Sequence, residues 1–402
     1  MKVLMSAFAC SPIRGSEPGV GWNWAREMSK YNEVWVLTRE SNRIEIENNI
    51  KSENIKFIYI SIPVIKFLEK YTGKKIIHLY YKLWQMYVAG YVKKINEQEK
   101  FDIVHHVTYN EFRNPGYLWK SGSAFILGPI GGAQEIEKEL LDYCEGTRNK
   151  IIELVRHFIN IGSKNSRNFK KAVNNSSKII VANNDTASFL ELPQEKSEVI
   201  LETGIKNENL NYIEREEKEK IRILWVGNLI YIKGLRLLIE AFKKIEDKEK
   251  YEVIVIGEGN LKSRYIKLIK NEGMEKYFTF TGKLSYEKTL REYKEADIFV
   301  FTSLRDTSGN VVLEAMANCL PVITLNHHGV KDILSNSCAI KINVNNSTQV
   351  INDLHESIEY LGNNYEVRNK MGKEGYERIE KIYLWENKGK YMQQIYESVV
   401  KK

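Results

Sequence analysis

Two carboxylates with seven residues between them, Asp306 and Glu314, carry the strongest chemical signal in the chain. Between them lie Ser308 and Gly309, small residues of a polar turn, and then Asn310 and Val311, which open a helix-forming run after the apolar stretch Ile298 to Phe301. A strand feeding a polar turn and then a helix points free N–H groups and the positive end of a helix dipole past the strand's carboxyl edge, which makes an anion site. One acid then falls on the turn and the other about one and a half turns into the helix, so both can face one ligand held beside the anion. Phosphate on backbone and hydroxyls on carboxylates describe a sugar nucleotide. Lys233, in the turn after Ile223 to Val226, is a point charge suited to a diphosphate, stabilising it as a leaving group.

Other glycine turns accompany this one. Gly227-Asn228 opens the Lys233 turn, Gly257-Glu258-Gly259 follows Val253 to Ile256, and Thr281-Gly282-Lys283-Leu284 follows Phe278 to Phe280. In the first half, Gly15, Gly19 and Gly21 surround Glu17 ahead of a probable helix, where backbone can approach a ligand closely. Their spacing is not the dinucleotide fingerprint. His105 and His106 end the run that starts at Asp102; neighbours on a strand face opposite ways, so one of the two is expected to reach a ligand, with His106 preferred. Gly131 and Gly132, followed by Gln134-Glu135, repeat the pattern of strand, glycine turn and helix and are expected to wall an acceptor.

Short apolar runs alternate with helical patterns throughout, which predicts parallel βαβ units and an α/β fold. At 402 residues two domains are the default. The charged run Glu214 to Lys220 suggests the boundary: residues 1–201 as a Rossmann-like first domain, 202–220 as linker, 221–384 as a similar second domain, and 385–402 as a closing amphipathic helix. In such sheets ligands bind outside the carboxyl ends of the strands, so the two halves are expected to face a cleft.

Glu314-Ala315-Met316-Ala317 and Pro321-Val322-Ile323, with two acids that have seven residues between them and Lys233-Gly234 upstream, resemble the signature of family four of the retaining glycosyltransferases, enzymes of the GT-B fold. Three positions depart from it: Asp306 stands for Glu, Cys319 for Gly, and Asn228 for an Arg that shares the diphosphate charge. The resemblance covers nearly the whole chain and is strongest from Ile223 to Thr324. It implies Lys233 and the backbone near Gly309 on the diphosphate, Glu314 on ribose hydroxyls and Asp306 on those of the sugar. It adds Gly19, Gly227, Asn228, Gly257, Gly259, Lys283, Leu284, Ser308, Asn310 and Val311 to the donor side, His106 to the catalytic set, and Glu17, His105, Gly131 and Gly132 to the acceptor side. It further implies no metal and no cofactor, a UDP- or GDP-sugar as donor, a glycan or lipid-linked acceptor of cell-surface polysaccharide synthesis, and a last helix, after Trp385-Glu386, that returns to the first domain.

The net charge of +8 is concentrated in residues 1–200, which hold 28 Lys and Arg against 22 Asp and Glu. Two basic stretches are interleaved with aromatics, from Ile62 to Ile95 and from Arg148 to Lys171. They suggest a peripheral footprint on an anionic membrane. No basic motif for nucleic acid is present. Cys10, Cys144, Cys319 and Cys338 are scattered with no CxxC pair, which fits a reducing cytoplasm and argues against a zinc site. The expected location is cytoplasmic, at the inner face of the membrane. The rival readings are a non-catalytic partner that binds sugar nucleotides, an epimerase or glycan phosphorylase of the same architecture, and a nucleic-acid binder.

Overall fold

A computed structural model describes residues 1–50, 54–62, 77–109 and 111–401. It divides into two compact units: residues 1–133, 158–203 and 385–402 form the first, and residues 134–157 and 204–384 the second.

The first unit is built on a seven-stranded parallel sheet in the order β3-β2-β1-β4-β5-β6-β7. Its strands are β1 (Lys2–Ser6), β2 (Glu33–Arg39), β3 (Ile55–Ile60), β4 (Ile103–His106), β5 (Ala124–Ile130), β6 (Lys178–Val181) and β7 (Ser197–Val199). Side chains alternate across the sheet, so each face has its own core. Val3 and Met5 pack with Trp24 and Met28 of helix α1 (Glu17–Ser29) and with Met392 and Tyr396 of the last helix, Trp385–Val400. Leu4 and Val104 pack on the other side with Tyr81, Trp84 and Val88 of helix α2 (Ile77–Glu99). The last helix thus belongs to the first unit. Trp385 meets Trp24 edge to face at 5.3 Å. Tyr80, Tyr81 and Trp84, expected at a lipid interface, are core residues instead. The rest of that stretch from residue 63 to 76 lies outside the described residues.

The second unit carries a six-stranded parallel sheet in the order β10-β9-β8-β11-β12-β13. Its strands are β8 (Ile221–Val226), β9 (Tyr251–Ile256), β10 (Phe278–Gly282), β11 (Ile298–Phe301), β12 (Val322–Leu325) and β13 (Ala339–Ile342). Strand order reverses between β8 and β11, the place where ligands of such sheets bind. The loops after those two strands are the ones that contain Lys233 and Asp306.

Three sequence expectations change here. Residues 134–157 group with the second unit, because Ile136, Leu140, Tyr143 and Cys144 join its core; after Gly132 the chain forms a 3-10 segment, Lys138–Cys144, and the α-helix α3 (Thr147–Lys164) starts only later. The polar stretch 202–220 is no free linker. Arg215 is buried within it and donates to the carbonyls of Ala296, Cys319, Tyr293 and Asn318. β7 begins two residues before the expected Val199.

Candidate active site

In the second unit, β8 and β11 pair in parallel, with Ile298 opposite Ile223, so the loops at their carboxyl ends emerge side by side. Contacts lock them. Leu304 N–H donates to Ile232 O at 2.7 Å, and the Thr302 hydroxyl accepts from Trp225 Nε1 at 3.1 Å while donating to Lys233 O at 3.2 Å. Gly234 has φ +64, and a Cβ there would lie 2.1 Å from Thr302 O. Only glycine fits that approach.

The result is an ion pair between Lys233 Nζ and Asp306 Oδ2. The other carboxylate oxygen, Oδ1, accepts from Gly309 N–H at 3.2 Å and Ser308 N–H at 3.4 Å. Burial alone would raise the Asp306 pKa, but the Lys233 ammonium and these two donors outweigh it and hold the carboxyl below its ordinary value. Asp306 therefore occupies an anion receptor made of one cation and two backbone donors. Gly309 caps helix α6 (Asn310–Met316, the label α4 going to Leu235–Lys244 and α5 to Tyr286–Glu295) in the left-handed region at φ 62. Asn310 and Val311 start that helix.

Glu314, on α6, faces α5 and accepts from the Tyr293 hydroxyl at 3.0 Å. Burial raises its pKa to about 7, with the Tyr293 donor opposing. One acid of the pair is held ionised and the other titrates near neutrality.

The remaining donor-side glycines gather on the same edge. Gly227 N–H donates to Ile256 O and Gly257 N–H to Gly282 O, both at 3.0 Å, which zips the loops after β8, β9 and β10 together. A Cβ on Gly257 would meet Gly227 O at 1.9 Å and one on Gly259 would meet Leu229 O at 2.3 Å. Asn228 and Lys283 are exposed there, and Leu284 is half-buried.

Several contacts around the site were not read in the sequence. Arg305, next to Asp306, pairs with Glu153 of α3 at 3.2 Å, and Tyr231, two residues before Lys233, donates to the same Glu153 oxygen at 2.8 Å. The Thr307 hydroxyl donates to Gln134 Oε1 at 3.1 Å. Beneath the turn, a Cβ on Gly329 of helix α7 (His328–Ile333) would lie 1.8 Å from Thr307 O, and His327 Nε2–H donates to Ser303 O at 3.0 Å. Spacing gives no sign of contacts between segments so far apart.

The first unit repeats the switch-point geometry between β1 and β4. Ala9 N–H donates to the Thr108 hydroxyl at 3.2 Å, and Tyr109 N–H donates to Glu17 Oε1 at 2.5 Å. Burial raises the Glu17 pKa, against that donor. A Cβ on Gly19 would lie 2.9 Å from Arg14 O. The two histidines do face opposite ways, but neither ring is open. His105 Nε2–H donates to Gly128 O at 2.7 Å and Nδ1 accepts from the Tyr396 hydroxyl at 2.6 Å. His106 Nδ1–H donates to Pro115 O at 3.2 Å, and its Nε2 accepts from the Tyr81 hydroxyl at 2.7 Å. Burial lowers the two pKa values to about 3 and about 4, so both rings are neutral. His106, the histidine preferred for a ligand, also has Gln85 Nε2 within 3.0 Å of its Nε2. Gly131 bridges to Glu111, and Gly132 O accepts from Arg113 at 2.9 Å.

Among the described residues no group of three His, Cys, Asp or Glu side chains converges as metal ligands do. None of the described helices is long and apolar enough to cross a membrane.

Residues 207–378 match the family described as glycosyl transferases group 1. An uncharacterized glycosyltransferase of Methanocaldococcus jannaschii is 23% identical over 347 residues, 81% of this chain and 83% of that protein. Over residues 207–378 the chain is thus similar to the group 1 glycosyl transferases. The sulfoquinovosyl transferase of Arabidopsis thaliana is 31% identical to this glycosyltransferase over 174 residues, 42% of this chain; the match spans only 32% of the plant protein. Among solved structures, that of Anabaena HepE in complex with UDP superposes with a TM-score of 0.63 at 12% identity, covering 99% of this glycosyltransferase and 100% of that chain. Such a likeness speaks for fold alone, and the fold is GT-B.

Proposed function

We propose that this glycosyltransferase is a family four enzyme that moves a sugar, with retention and without a metal, from a UDP- or GDP-sugar to a glycan or lipid-linked acceptor of a cell-surface polysaccharide. The observation that carries the reading is the anion receptor of Lys233, Gly309 N–H and Ser308 N–H at the strand switch point, with Glu314 on the helix that follows. On this reading a donor diphosphate takes the place of the Asp306 carboxylate against Lys233. Asp306 is then released to accept from hydroxyls of the transferred sugar, and Glu314 accepts from the ribose. Lys233 stabilises the departing diphosphate, which itself assists the acceptor hydroxyl on the same face. The Anabaena neighbour was solved with UDP, one of the two donor nucleotides in this reading.

A thermal-shift screen against UDP, GDP, ADP, CMP and their sugars tests the reading, because a ligand of the native state raises its melting temperature. A shift with one nucleotide fixes the base. No shift with any, in folded protein, removes the proposal.

One observation favours a weakly active, partner-like protein as the second reading. Asn228 is exposed where the family places Arg, and Arg305, next to Asp306 in the sequence, is engaged by Glu153. Donor hydrolysis by wild type and by Asp306→Ala separates the two: equal rates mean a binding partner, a drop means an enzyme.

A further inference from the structure

Tyr293 is the buried residue of an otherwise polar helix, α5, and its ring packs 5.8 Å from that of Phe299 on β11. A buried phenol needs a partner for its hydroxyl. This one reaches two acceptors on α6: Glu314 Oε2 at 3.0 Å and Val311 O at 3.3 Å. Val311 and Glu314 are three residues apart and share a helix face, so the hydroxyl ties the carboxylate to the backbone of its own helix.

The two helices are also held in step. Arg215 donates to Tyr293 O and Ala296 O at the end of α5, and to Asn318 O and Cys319 O just past α6. The Asn318 side chain donates in turn to Glu314 O at 2.8 Å. All of these residues belong to the second unit. Neither helix can slide past the other without breaking bonds to a buried guanidinium.

Glu314 itself is half-buried, and of its two oxygens Oε2 is the one engaged. A carboxylate offers about four lone-pair sites, which leaves Oε1 for hydroxyls of a ligand. Burial lifts the Glu314 pKa to about 7, and the Tyr293 donor opposes the rise. The other titratable group near it is Tyr286, also on α5, whose own pKa is pushed up to about 12 by burial and then by the Glu314 charge. With no cation paired to Glu314 among the described residues, a neutral phenol is what favours its ionised form.

We infer that Tyr293 is a positioning residue for the nucleotide: its hydroxyl holds Glu314 Oε2 so that Oε1, as a carboxylate oxygen, accepts from ribose hydroxyls. This rests on the donor reading above, in which Glu314 takes the ribose.

Calorimetric titration of the full chain with UDP, GDP and their 2′-deoxy and 3′-deoxy forms tests it. Wild type is expected to prefer ribose to a deoxyribose form about tenfold or more, as for a hydrogen bond to a charged group. Tyr293→Phe keeps the ring and its packing; it should keep the melting temperature and reduce that preference to about threefold or less. Against pH, the wild-type preference should rise through about 7, and in Tyr293→Phe the rise should move to higher pH. Taking the ratio of two nucleotides cancels the titration of their phosphates. In a Glu314→Gln background the Phe substitution should change the preference no further.

Tyr293→Phe with the wild-type preference and pH profile, or a loss of equal size in the Glu314→Gln background, overturns the inference and leaves the donor reading standing. A wild-type preference that stays flat from about pH 6 to about pH 8 overturns it without any variant. Wild type that binds neither nucleotide, or binds one without preferring ribose, removes the ribose assignment of Glu314 and this role together.

Discussion

Lys233 and Asp306 are ion-paired across two loops that leave neighbouring strands, and the same carboxylate accepts two backbone N–H groups. Removing Asp306 frees the receptor but deletes the group proposed to hold the sugar. Asp306→Ala is expected to retain nucleotide diphosphate binding and to lose about 100-fold in kcat/KM. Asp306→Glu, which restores the family's residue, should keep at least wild-type turnover. Steady-state donor hydrolysis and transfer check both, and retained activity in the Ala variant would remove the assignment.

Asn228 presents an amide where a guanidinium would share the diphosphate charge. Asn228→Arg, at an exposed position, is expected to tighten UDP or GDP about tenfold through a charge-assisted pair. Calorimetric titration reads the change directly.

Glu314 supplies a pH dependence. Its folded pKa is about 7 against an ordinary 4.5, so between those values the native state holds a proton that the unfolded chain has released. Stability from this group is full below pH 4.5, falls as pH rises through the window, and is lost above about 7. Glu314→Gln should therefore raise the melting temperature at about pH 8, show no advantage at about pH 4, and weaken donor binding about tenfold. Melting curves at the two pH values measure it. A loss of stability at the higher pH would contradict the sign.

Glu153 is buried with Arg305, 5% and 14% exposed. Breaking one side of such a pair leaves an uncompensated charge, so Glu153→Leu should cost about 3 kcal/mol, and Glu153→Leu with Arg305→Met should recover most of it. Urea unfolding of the two single variants and the double gives the coupling.

The sheets were legible because fully buried parallel strands read as short apolar runs; Ile223 to Val226 and Ile298 to Phe301 need no tertiary information. β13 was not read, because Ala339-Ile340-Lys341-Ile342 is short and interrupted by a lysine. Glycine turns marked the loops, since Gly234 and Gly309 occupy positive φ for which glycine is the ordinary solution. The same physics explains one departure: Cys319 sits at φ 55, a conformation that usually demands the glycine it replaces, held there by the Arg215 guanidinium on its carbonyl. A strand position tells which face the His106 ring takes, not that Tyr81 and Gln85 hydrogen-bond it. The inward turn of Glu153 was not legible, because it depends on Arg305, a partner 152 residues away.

A receptor whose occupant is tethered to it is selective in a particular way. Because Asp306 already neutralises Lys233 and takes both N–H groups, a free phosphate ion that enters must evict an intramolecular competitor and gains little for doing so. A nucleotide sugar brings a base and a ribose whose contacts offset the eviction, and it offers the displaced carboxylate new hydroxyls. Inorganic phosphate at cellular abundance is therefore expected to be a poor inhibitor of this protein, even though the site is built from phosphate-binding parts.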